Sequence, residues 1–591
     1  MRKRLTWLGA VLLLAAAPIV APPPAGGENS QEGPRAPEVE TVAPRFQNVT
    51  RQAGIRFEHS NGATREKYMP ETMGAGGLFF DYNNDGWLDI FLVDSGSLVD
   101  EDLAREARSV LYRNNGDGTF SDVTSESGIR NLAYGMGACS ADYDNDGWVD
   151  LYLTNFGPNI LYRNLGDGRF ADVTEKSGVA SSLWATSCAF GEIDNDGYLD
   201  LYVTNYVDFA LDNNKFCGDY NQGVRAYCHP NVYNGLPDVL YRNNGDGTFT
   251  DITSEAGVYT SAGKGLGVVF GDYNNDGWSD IYVANDSVPN FLYRNQGDGT
   301  FEEVGLVAGV AVNGDGRPEA GMGTDMGDYD NDGLLDIIAT NLDMETNTLY
   351  RNTGEGLFRD VTSQSGHGEP SLHFVGFGTA FFDYDNDGDL DVVVVNGHIL
   401  DNPSFFRDNV TYEQRNLLFR NEGRKKFQEV GVPSGPGFAL VKVSRGLAVG
   451  DLDNDGDLDL LISNNGQTAD LLRNDGGSSN NSLVVKTVGT KSNRDGVGAR
   501  LMLKIGARTQ LREVKAGSSY LSQNDLRVHF GLGRSTRIDR LELRWPSGTV
   551  ETWNNLEANQ ILTVVEGEGI IRREPFVNSK DRAQTSPQPD E

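Results

Sequence analysis

The sequence predicts an all-β protein whose main part consists of seven similar units, each folded as a four-stranded sheet. Three observations lead to this fold class. A nine-residue acidic segment occurs seven times, a glycine-rich hairpin motif recurs between its copies, and the last unit is completed by residues from the N-terminal part of the chain. A repeat length near fifty residues indicates a repeat architecture, which has to be settled before any local feature is interpreted.

The acidic segments mark the units. They begin 61, 50, 80, 56, 55 and 68 residues apart, which is a period near fifty with insertions. The sixth reads DYDNDGDLD and is followed directly by four valines, which are typical of a buried strand. Each segment therefore predicts a loop between the first and second strands of a unit. The segments begin at Asp81, Asp142, Glu192, Asp272, Asp328, Asp383 and Asp451.

A hairpin motif supplies the third and fourth strands. The copy at Leu111 reads LYRNNGDGTFSDVTSESGI, which is two short apolar–polar runs around a glycine-rich turn. Further copies follow five of the other six acidic segments, so the four-strand unit repeats along the chain. They begin at Leu161, Leu240, Leu292, Leu349 and, in a looser form, Leu418.

The two ends of the repeat region distinguish a closed ring from an open stack. The seventh acidic segment is followed by LLRNDGG at Leu471, only half a hairpin, and the matching half, RFQNVTRQAGI, occupies Arg45–Ile55. An open solenoid has no reason to divide one repeat between its ends, whereas a ring closed in this way removes free sheet edges. We therefore predict a seven-bladed β-propeller over residues 45–477, with the N-terminal strand completing the last blade.

The remaining segments have simpler patterns. Residues 1–25, with three basic residues before an apolar run, predict a signal peptide and a secreted, periplasmic or extracellular location; the alternative is an uncleaved N-terminal anchor. Residues 26–44 predict a linker, residues 482–566 a small sandwich-like β domain, and residues 567–591 a disordered tail. No later run of eighteen apolar residues occurs, so we expect no transmembrane segment in the mature chain.

The charge of the chain limits the classes of partner that it can bind. The formal net charge is −35 and the isoelectric point is about 4.5, with no basic stripe, which argues against nucleic acid. Acidic residues that only keep a protein in solution are scattered, whereas these are clustered in the repeated segments. Clustered carboxylates favour divalent cations.

Each acidic segment has the composition of a calcium loop. Positions 1, 3 and 5 carry Asp, Asn or Glu, position 6 is Gly for the sharp turn, and position 9 is Asp. Magnesium prefers water and rigid octahedra, and zinc or copper would favour His or Cys. We predict up to seven Ca²⁺ ions, with position 7 contributing its backbone carbonyl. The predicted ligands are Asp81, Asn83, Asp85, Trp87 and Asp89; Asp142, Asp144, Asp146, Trp148 and Asp150; Glu192, Asp194, Asp196, Tyr198 and Asp200; Asp272, Asn274, Asp276, Trp278 and Asp280; Asp328, Asp330, Asp332, Leu334 and Asp336; Asp383, Asp385, Asp387, Asp389 and Asp391; and Asp451, Asp453, Asp455, Asp457 and Asp459.

Four cysteines are present. Cys217 and Cys228 lie in one insertion, and we expect them to form a disulfide after export. Cys139 and Cys188 lie on strand-like segments ahead of neighbouring acidic loops, where either a disulfide or two buried thiols would fit.

These motifs resemble a known family. The units are similar to the FG-GAP/VCBS repeats of integrin-type propellers, and GVGARLMLKIGARTQLREVKAGSSYLSQNDLRVHFGLG from Gly496, with LRWPSG at Leu543, resembles the ASPIC/UnbV domain. Over about residues 45–566 the chain resembles the cartilage acidic protein family in its bacterial secreted form. The resemblance implies the fold and calcium, but no settled biochemical activity. Glu192 departs from the Asp that is usual at position 1.

Two functions remain open at this point. The first is a secreted calcium-binding scaffold or adhesion-type module with a protein or glycan ligand, and the second is a secreted carbohydrate-active enzyme of lyase or hydrolase type. An enzyme needs a convergent acid–base set. His59, His398 and the insertion residue His229 are candidates for one rim, but a structural or surface role is favoured for them. We assign no catalytic residue from the sequence.

The insertion between strands two and three of the third unit, about Tyr206–Asp238, is the longest. It carries six aromatic residues together with Arg225. These either form a ligand contact or a small core that supports a long loop.

Overall fold

The computed structural model describes residues 45–100, 108–408, 410–423 and 425–577. The predicted signal peptide, the linker up to residue 44 and residues 578–591 of the predicted tail lie outside the described residues. The repeat region contains seven four-stranded antiparallel sheets, in each of which neighbouring strands follow one another along the chain, apart from one N-terminal strand. The repeat region and the C-terminal domain belong to one compact unit.

The strand bounds follow the predicted four-strand unit. The N-terminal strand is β1 (Arg45–Asn48), and sheet 1 comprises β2 (Gly77–Phe80), β3 (Asp89–Leu92), β4 (Val110–Asn114) and β5 (Phe120–Asp122). Sheet 2 comprises β6 (Tyr134–Ala141), β7 (Asp150–Phe156), β8 (Ile160–Asn164) and β9 (Phe170–Asp172). Sheet 3 comprises β10 (Ala185–Gly191), β11 (Asp200–Asn205), β14 (Val239–Asn243) and β15 (Phe249–Asp251), with β12 (Cys217–Asp219) and β13 (Val224–Ala226) in the insertion.

The second half of the repeat region continues in the same way. Sheet 4 comprises β16 (Gly265–Gly271), β17 (Asp280–Asn285), β18 (Phe291–Asn295) and β19 (Phe301–Glu303), and sheet 5 comprises β20 (Thr324–Gly327), β21 (Asp336–Ala339), β22 (Thr348–Asn352) and β23 (Phe358–Asp360). Sheet 6 comprises β24 (Gly376–Phe382), β25 (Asp391–Asn396), β27 (Leu417–Asn421) and β28 (Phe427–Glu429), while β26 (Gln414–Arg415) pairs with β29 (Val441–Lys442). Sheet 7 comprises β30 (Ser444–Gly450), β31 (Asp459–Asn464), β32 (Asp470–Asp475) and β1.

Helices in the described chain are single turns. The α-helical turns are α1 (Thr124–Ser127), α2 (Thr174–Ser177), α3 (Gly305–Ala308), α4 (Thr362–Ser365) and α5 (Gly368–Ser371). The 3₁₀ turns are Met69–Thr72, Leu211–Asn213, Pro230–Val232, Pro403–Phe405, Val432–Ser434, Pro436–Ala439 and Gly477–Ser479. Among the described residues no helix is long and apolar enough to cross a membrane.

Sheet 7 contains both ends of the repeat region. In the antiparallel pairing of β1 with β32, Arg45 lies opposite Asp475 and Asn48 opposite Leu472. The Thr50 hydroxyl accepts a hydrogen bond of 2.7 Å from the Leu471 amide just beyond the strand. The strand ends at Asn48, so it is shorter than the Arg45–Ile55 segment, whose later residues form a turn.

The first strands of neighbouring sheets lie side by side. Contacts run from β2 through β6, β10, β16, β20, β24 and β30, and β30 also contacts β2. Glycines permit this close approach, since a Cβ on Gly323, directly before β20, would lie 2.2 Å from the Phe377 carbonyl oxygen of β24, and one on Gly378 of β24 would lie 2.9 Å from the Arg445 carbonyl oxygen of β30. Their backbones therefore occupy space that a side chain would need.

The C-terminal domain is built from two four-stranded sheets. Its strands are β33 (Asn481–Val488), β34 (Arg500–Ile505), β35 (Arg508–Glu513), β36 (Val528–Gly533), β37 (Arg537–Arg544), β38 (Val550–Glu557), β39 (Gln560–Val565) and β40 (Gly569–Pro575). One sheet has the order β36-β33-β39-β40, with β33 parallel to β39, and the other has the order β35-β34-β37-β38. Leu483, Leu541 and Trp545 are buried in a core that the domain shares with residues of sheets 2 and 3.

The tail prediction is wrong for its first part. Residues 567–577 are described, and Gly569–Pro575 forms β40, antiparallel to β39, so the domain extends past residue 566. Ile570 packs against the apolar core, while Glu568, Arg572 and Arg573 are exposed and Glu574 is half-buried. A strand at the edge of a sheet needs only such a sparse apolar pattern, which explains why the composition of this segment resembles that of a tail.

Both cysteine pairs form disulfides. The predicted bond between Cys217 and Cys228 is confirmed, and it ties the two strands of the β12–β13 hairpin. Cys139 on β6 and Cys188 on β10 are also bonded, which settles the open alternative in favour of a cross-link between sheets 2 and 3.

The insertion in sheet 3 divides its aromatic residues between two roles. The buried rings of Tyr206 and Phe209 pack against Trp184, and the buried Tyr233 packs against Phe209, which gives the loop a core of its own. Tyr220 is 83% exposed at the hairpin turn. The small-core interpretation therefore holds for most of the insertion, and an exposed aromatic tip remains.

Candidate metal centres

The Asp at position 9 links the acidic loop to the hairpin of the same sheet. In sheet 1, Asp89 Oδ1 accepts a hydrogen bond of 2.8 Å from the Asn114 amide, and its Oδ2 accepts one of 3.2 Å from the Tyr82 amide. Both bonds recur in all seven sheets, at 2.7–2.8 Å and 3.0–3.3 Å respectively. The seven carboxylates are buried and join three parts of each repeat. They are Asp89, Asp150, Asp200, Asp280, Asp336, Asp391 and Asp459.

Positions 1 to 7 curl around their own carboxylates. In sheet 2, Asp142 accepts hydrogen bonds from the amides of Asp146 and Gly147 at 3.0 and 2.7 Å, and Asp146 accepts one from the Trp148 amide at 3.0 Å. Gly147 has φ of +93°, a conformation that glycine adopts without strain. Asn145 at position 4 is left-handed as well, with φ of +58°. The backbone thus brings alternating side chains to the same side of the turn.

The curl gathers carboxylates closely in five of the loops. In each, three carboxylate groups have oxygen atoms within 4.8 Å of one another. The two remaining loops carry Asn83 and Asn274 at position 3, so an amide replaces one carboxylate. The five groups are Asp142, Asp144 and Asp146; Glu192, Asp194 and Asp196; Asp328, Asp330 and Asp332; Asp383, Asp385 and Asp391; and Asp451, Asp453 and Asp455.

Position 7 contributes a backbone hydrogen bond to each loop. Its amide donates to the position 5 carboxylate in every loop, at 2.8–3.2 Å. In sheet 6 the Asp389 side chain faces away from the other carboxylates, since its Oδ1 accepts from Asn331 and from Arg508 of the C-terminal domain. The seven residues are Trp87, Trp148, Tyr198, Trp278, Leu334, Asp389 and Asp457.

Glu192 fits the loop of sheet 3 with its longer side chain. Its Oε1 accepts a hydrogen bond of 3.0 Å from the Gly197 amide, the bond that Asp makes elsewhere. The Asp196 amide donates instead to Asp194, at 3.3 Å. The departure from Asp therefore changes one hydrogen bond and leaves the carboxylate group in place.

Burial and mutual repulsion make these carboxylates costly as bare anions. Burial, with the neighbouring Asp495, raises the pKa of Asp142 to about 8. Burial raises the pKa of Asp328 to about 7 and that of Asp89 to about 8. A carboxylate whose pKa is raised by burial favours either a proton or a nearby cation.

One unpartnered oxygen shows that the donor set suits a cation. The Asp330 side chain is 1% exposed, and its Oδ2 is paired with Arg351 and Lys425 at 2.6 Å. Its Oδ1 is buried and has no hydrogen-bond partner, although it belongs to a group of three carboxylates. In sheet 2, Asp144 Oδ1 is likewise buried without a hydrogen-bond partner, while its Oδ2 is paired with Arg163. Oxygen-only donors around such atoms fit a hard divalent cation.

Two series of asparagine hydrogen bonds connect neighbouring loops. The position 4 side chain donates to the position 6 carbonyl of the next loop, at 2.7–3.4 Å. The hairpin Asn donates to the position 2 carbonyl of the preceding loop, at 2.7–2.9 Å. Both series pass between the seventh loop and the first, where Asn454 donates to Gly86 and Asn114 donates to Leu452. Position 4 was not among the predicted ligands, although its Asn is present in every loop of the sequence.

The histidines considered for catalysis have structural partners. His59 Nδ1 accepts from the Gly466 amide at 3.0 Å, so its Nε2 is the donor to Ser95 Oγ at 2.9 Å. Burial lowers the pKa of His59 to about 3. His398 Nδ1 accepts from the Leu400 amide at 2.9 Å. Both rings are therefore engaged in holding loops, and no catalytic role is assigned to them.

Comparison with known proteins identifies both parts of the chain. The family model described as FG-GAP-like repeat matches residues 81–153, 142–203, 231–283, 272–339 and 328–394. The model described as ASPIC and UnbV matches residues 489–571. This chain contains FG-GAP-like repeats and an ASPIC and UnbV domain. The acidic loops described above lie in the FG-GAP repeats, apart from the seventh, which follows the last matched residue.

The chain is similar in sequence to cartilage acidic proteins. Cartilage acidic protein 1 of Homo sapiens is 30% identical over 379 residues, covering 60% of this chain and 53% of the relative. The Mus musculus protein is 32% identical over 345 residues, covering 56% and 49%. The chain is homologous to these proteins and spans about half the length of the curated relatives it matches.

Two solved structures are similar at a lower level. One is an Agrocybe aegerita lection described as recognising non-reducing terminal N-acetylglucosamine, with 15% identity, a TM-score of 0.36, and coverage of 67% of this chain and 87% of that chain. The other is BBS1N in complex with ARL6DN, with 11% identity, a TM-score of 0.38, and coverage of 73% and 97%. Likenesses at these TM-scores support no statement about function.

Proposed function

We propose that this chain is a calcium-binding seven-bladed β-propeller that acts outside the cell as a scaffold or adhesion-type binding module for a protein or glycan. The observation that carries the proposal is the repetition of one curled, carboxylate-lined loop in all seven sheets. A catalytic site is built once, whereas a structural metal site repeats with the fold.

Three contacts support the closed propeller. Sheet 7 contains the N-terminal strand, the first strand of sheet 7 contacts the first strand of sheet 1, and both series of asparagine bonds connect the seventh loop to the first. Seven sheets joined in this way leave only short, protected edges, as in β-propellers.

The residues proposed to hold calcium are those at positions 1, 3, 5 and 9, with the position 7 carbonyl. Their donors are carboxylate, amide and carbonyl oxygens, which calcium accepts in irregular geometry and in larger number than magnesium does. Bound calcium would supply positive charge between carboxylates that otherwise repel one another. The chain itself supplies the curl, through the Gly at position 6 and the backbone bonds to position 1.

An extracellular location is supported by two disulfides, because such bonds persist in oxidising compartments. The cartilage acidic protein relatives are consistent with it. For the ligand, the exposed tip of the insertion is a starting point, since Tyr220 and Phe216 form an exposed aromatic pair 5.2 Å apart. Aromatic side chains of this kind suit protein and glycan contacts.

Calorimetric titration of calcium into chelator-treated, full-length protein tests the metal, with elemental analysis of the untreated protein. We expect several sites and a lower stoichiometry in Asp330→Asn. Asp298→Asn, an exposed aspartate that accepts from Thr300 in a hairpin turn, is the matched control and should leave the stoichiometry unchanged. Absence of calcium in both measurements would refute the metal assignment. A glycan array with wild type and Tyr220→Ala then tests the ligand class.

A further inference from the structure

A segment of the C-terminal domain lies among the first strands of the seven sheets. This axial segment, Lys515–Asp525, connects β35 to β36. The Phe190 amide donates to the Ala516 carbonyl at 2.7 Å, and the Ser519 amide donates to the Thr324 carbonyl at 2.7 Å. Phe190 is on β10 of sheet 3 and Thr324 is on β20 of sheet 5, so the segment spans the space that the first strands surround.

The axial segment is held by specific contacts along its length. Gln523 is fully buried, its Oε1 accepts from the Ser140 amide at 2.9 Å, and its Nε2 donates to the Ser140 carbonyl at 2.9 Å. The Tyr520 hydroxyl donates to the Met73 carbonyl at 3.0 Å. The Asp525 amide donates to the Val449 carbonyl at 2.9 Å. Contacts therefore extend to sheets 2 and 7 and to the turn just before sheet 1, and the buried polar atoms of the axial segment have partners.

The same domain covers the acidic loops. Lys486, Asp495, Asn493 and Arg500 contact position 1 of the loops in sheets 1 to 4, at 3.4, 2.7, 3.2 and 2.8 Å in that order. Arg508 and Arg527 contact the loops of sheets 6 and 7. The axial segment and the loop contacts thus belong to one docked domain.

Many of these contacts depend on the backbone conformation of a loop, because they are made to its carbonyl groups. The Gly533 amide donates to the Asn386 carbonyl at 2.7 Å, and Arg527 donates to the Asp451 carbonyl at 2.9 Å. His529 Nε2 donates to the Gly456 carbonyl at 3.1 Å. These carbonyls sit at positions 4, 1 and 6, and their directions are set by the curl of the loop. A loop that loses its curl no longer presents them to the domain.

We propose that metal in the acidic loops holds the C-terminal domain on the repeat region, and that removal of the metal releases the axial segment from the centre of the sheets. The inference rests on the proposed calcium sites. Charge alone argues the other way, because bare carboxylates attract Arg500 and Arg527 more strongly than neutralised ones do. The dependence on loop shape and the dependence on charge therefore predict opposite responses to chelation.

Linkage gives the size of the effect. If only the docked form binds metal at a given loop, calcium at ten times the dissociation constant multiplies the ratio of docked to released protein by about 11 for that loop. Loss of one linked site should then speed hydrogen exchange of the axial segment by about tenfold.

Hydrogen exchange of the full-length protein, read by mass spectrometry on peptides that cover residues 515–525, tests the proposal. In wild type we expect slow exchange with calcium and faster exchange with chelator. Asp144→Asn removes a predicted ligand that is paired with Arg163 and has no described contact with the C-terminal domain, so about tenfold faster exchange in calcium would show the coupling. Asp167→Asn is the control in the same sheet, since Asp167 is an exposed residue paired with Arg169.

The outcomes separate this proposal from the calcium assignment. If calcium binds but peptides 515–525 exchange equally with and without it, the coupling is refuted and the metal sites stand. If chelation exposes the outer strands and the axial segment to the same extent, global unfolding replaces domain release and the proposal fails. If no calcium binds, the proposed function fails first. Arg527→Lys should speed exchange of residues 515–525, whereas Arg540→Lys, in a surface pair of the same domain, should leave it unchanged.

Discussion

Replacement of Asp391 by Asn should destabilise the protein in calcium much more than in chelator. Asp391 Oδ1 accepts from the Asn421 amide at 2.7 Å, and Oδ2 accepts from the Tyr384 amide at 3.2 Å. Asn keeps one acceptor and turns an N–H group toward the other amide. Loss of one charge-assisted hydrogen bond costs about 2 kcal/mol. Loss of one calcium site held at ten times its dissociation constant adds about 1.4 kcal/mol.

Without calcium the balance changes. In chelator no calcium site is lost, and removal of one charge relieves the repulsion of Asp391 with Asp385 and Asp383. Burial, together with this repulsion, holds the pKa of Asp391 well above its usual range. The destabilisation should therefore fall from about 3–4 kcal/mol in calcium to about 2 kcal/mol or less in chelator. Urea unfolding followed by tryptophan fluorescence measures both values.

A matched control separates the hydrogen bond from the metal. Asp360, outside the acidic loops, also accepts two backbone bonds, from the Thr362 amide at 2.9 Å and the Gly314 amide at 2.7 Å. Asp360→Asn should cost the same free energy with and without calcium. Equal losses for Asp391→Asn in the two conditions would refute the reasoning, because position 9 would then act only as a backbone acceptor.

Three further predictions follow from other contacts. Chelation should lower the melting temperature of the full-length protein, and calcium should restore it better than magnesium; an unchanged midpoint argues against metal-stabilised loops. Glu566 accepts hydrogen bonds from the amides of Thr490, Lys491 and Ser492. Desolvation raises the pKa of Glu566, but these hydrogen bonds and one from Ser547 outweigh it and lower the pKa to about 2. Because the folded pKa is depressed, its stabilisation is present above about pH 4.5 and lost as pH falls toward 2, so Glu566→Gln should flatten acid unfolding in that range. Cys217→Ser should leave the repeat sheets folded and increase protease cleavage within residues 206–238, as read by peptide mapping; cleavage equal to wild type would mean the bond does not hold the insertion.

Local repetition made much of the fold readable from the sequence. The spacing of the acidic segments and of the LYRN hairpins placed four strands in each unit, and the unmatched half-repeats placed Arg45–Asn48 near Asp470–Asp475, where the structure pairs them. The strength of this information comes from comparison between copies. A single copy would look like an ordinary turn.

Features that occur once were not visible in the same way. Lys515–Asp525 has no periodic pattern, and its partners lie on sheets far away in sequence, so nothing local marks it as a segment that bonds to the first strands of several sheets. The position 4 asparagines are repeated, yet their role is a bond to the next loop, which exists only once the sheets are arranged. The sequence does not indicate β40 as a strand, because three of its seven residues are charged and give the segment the composition of a tail.

The pairing of β1 with β32 imposes an order on biosynthesis. Arg45 meets Asp475 across 430 positions of chain, so β1, the first of the described strands, must wait for nearly the last part of the repeat region before sheet 7 has its fourth strand. Until then β32 or β1 presents an unpaired edge, which favours association with other chains. Such long-range pairing slows folding, although the closure entropy grows only as the logarithm of the separation. A chain delivered whole before it folds meets this requirement, whereas a truncated product lacking either end keeps an exposed edge.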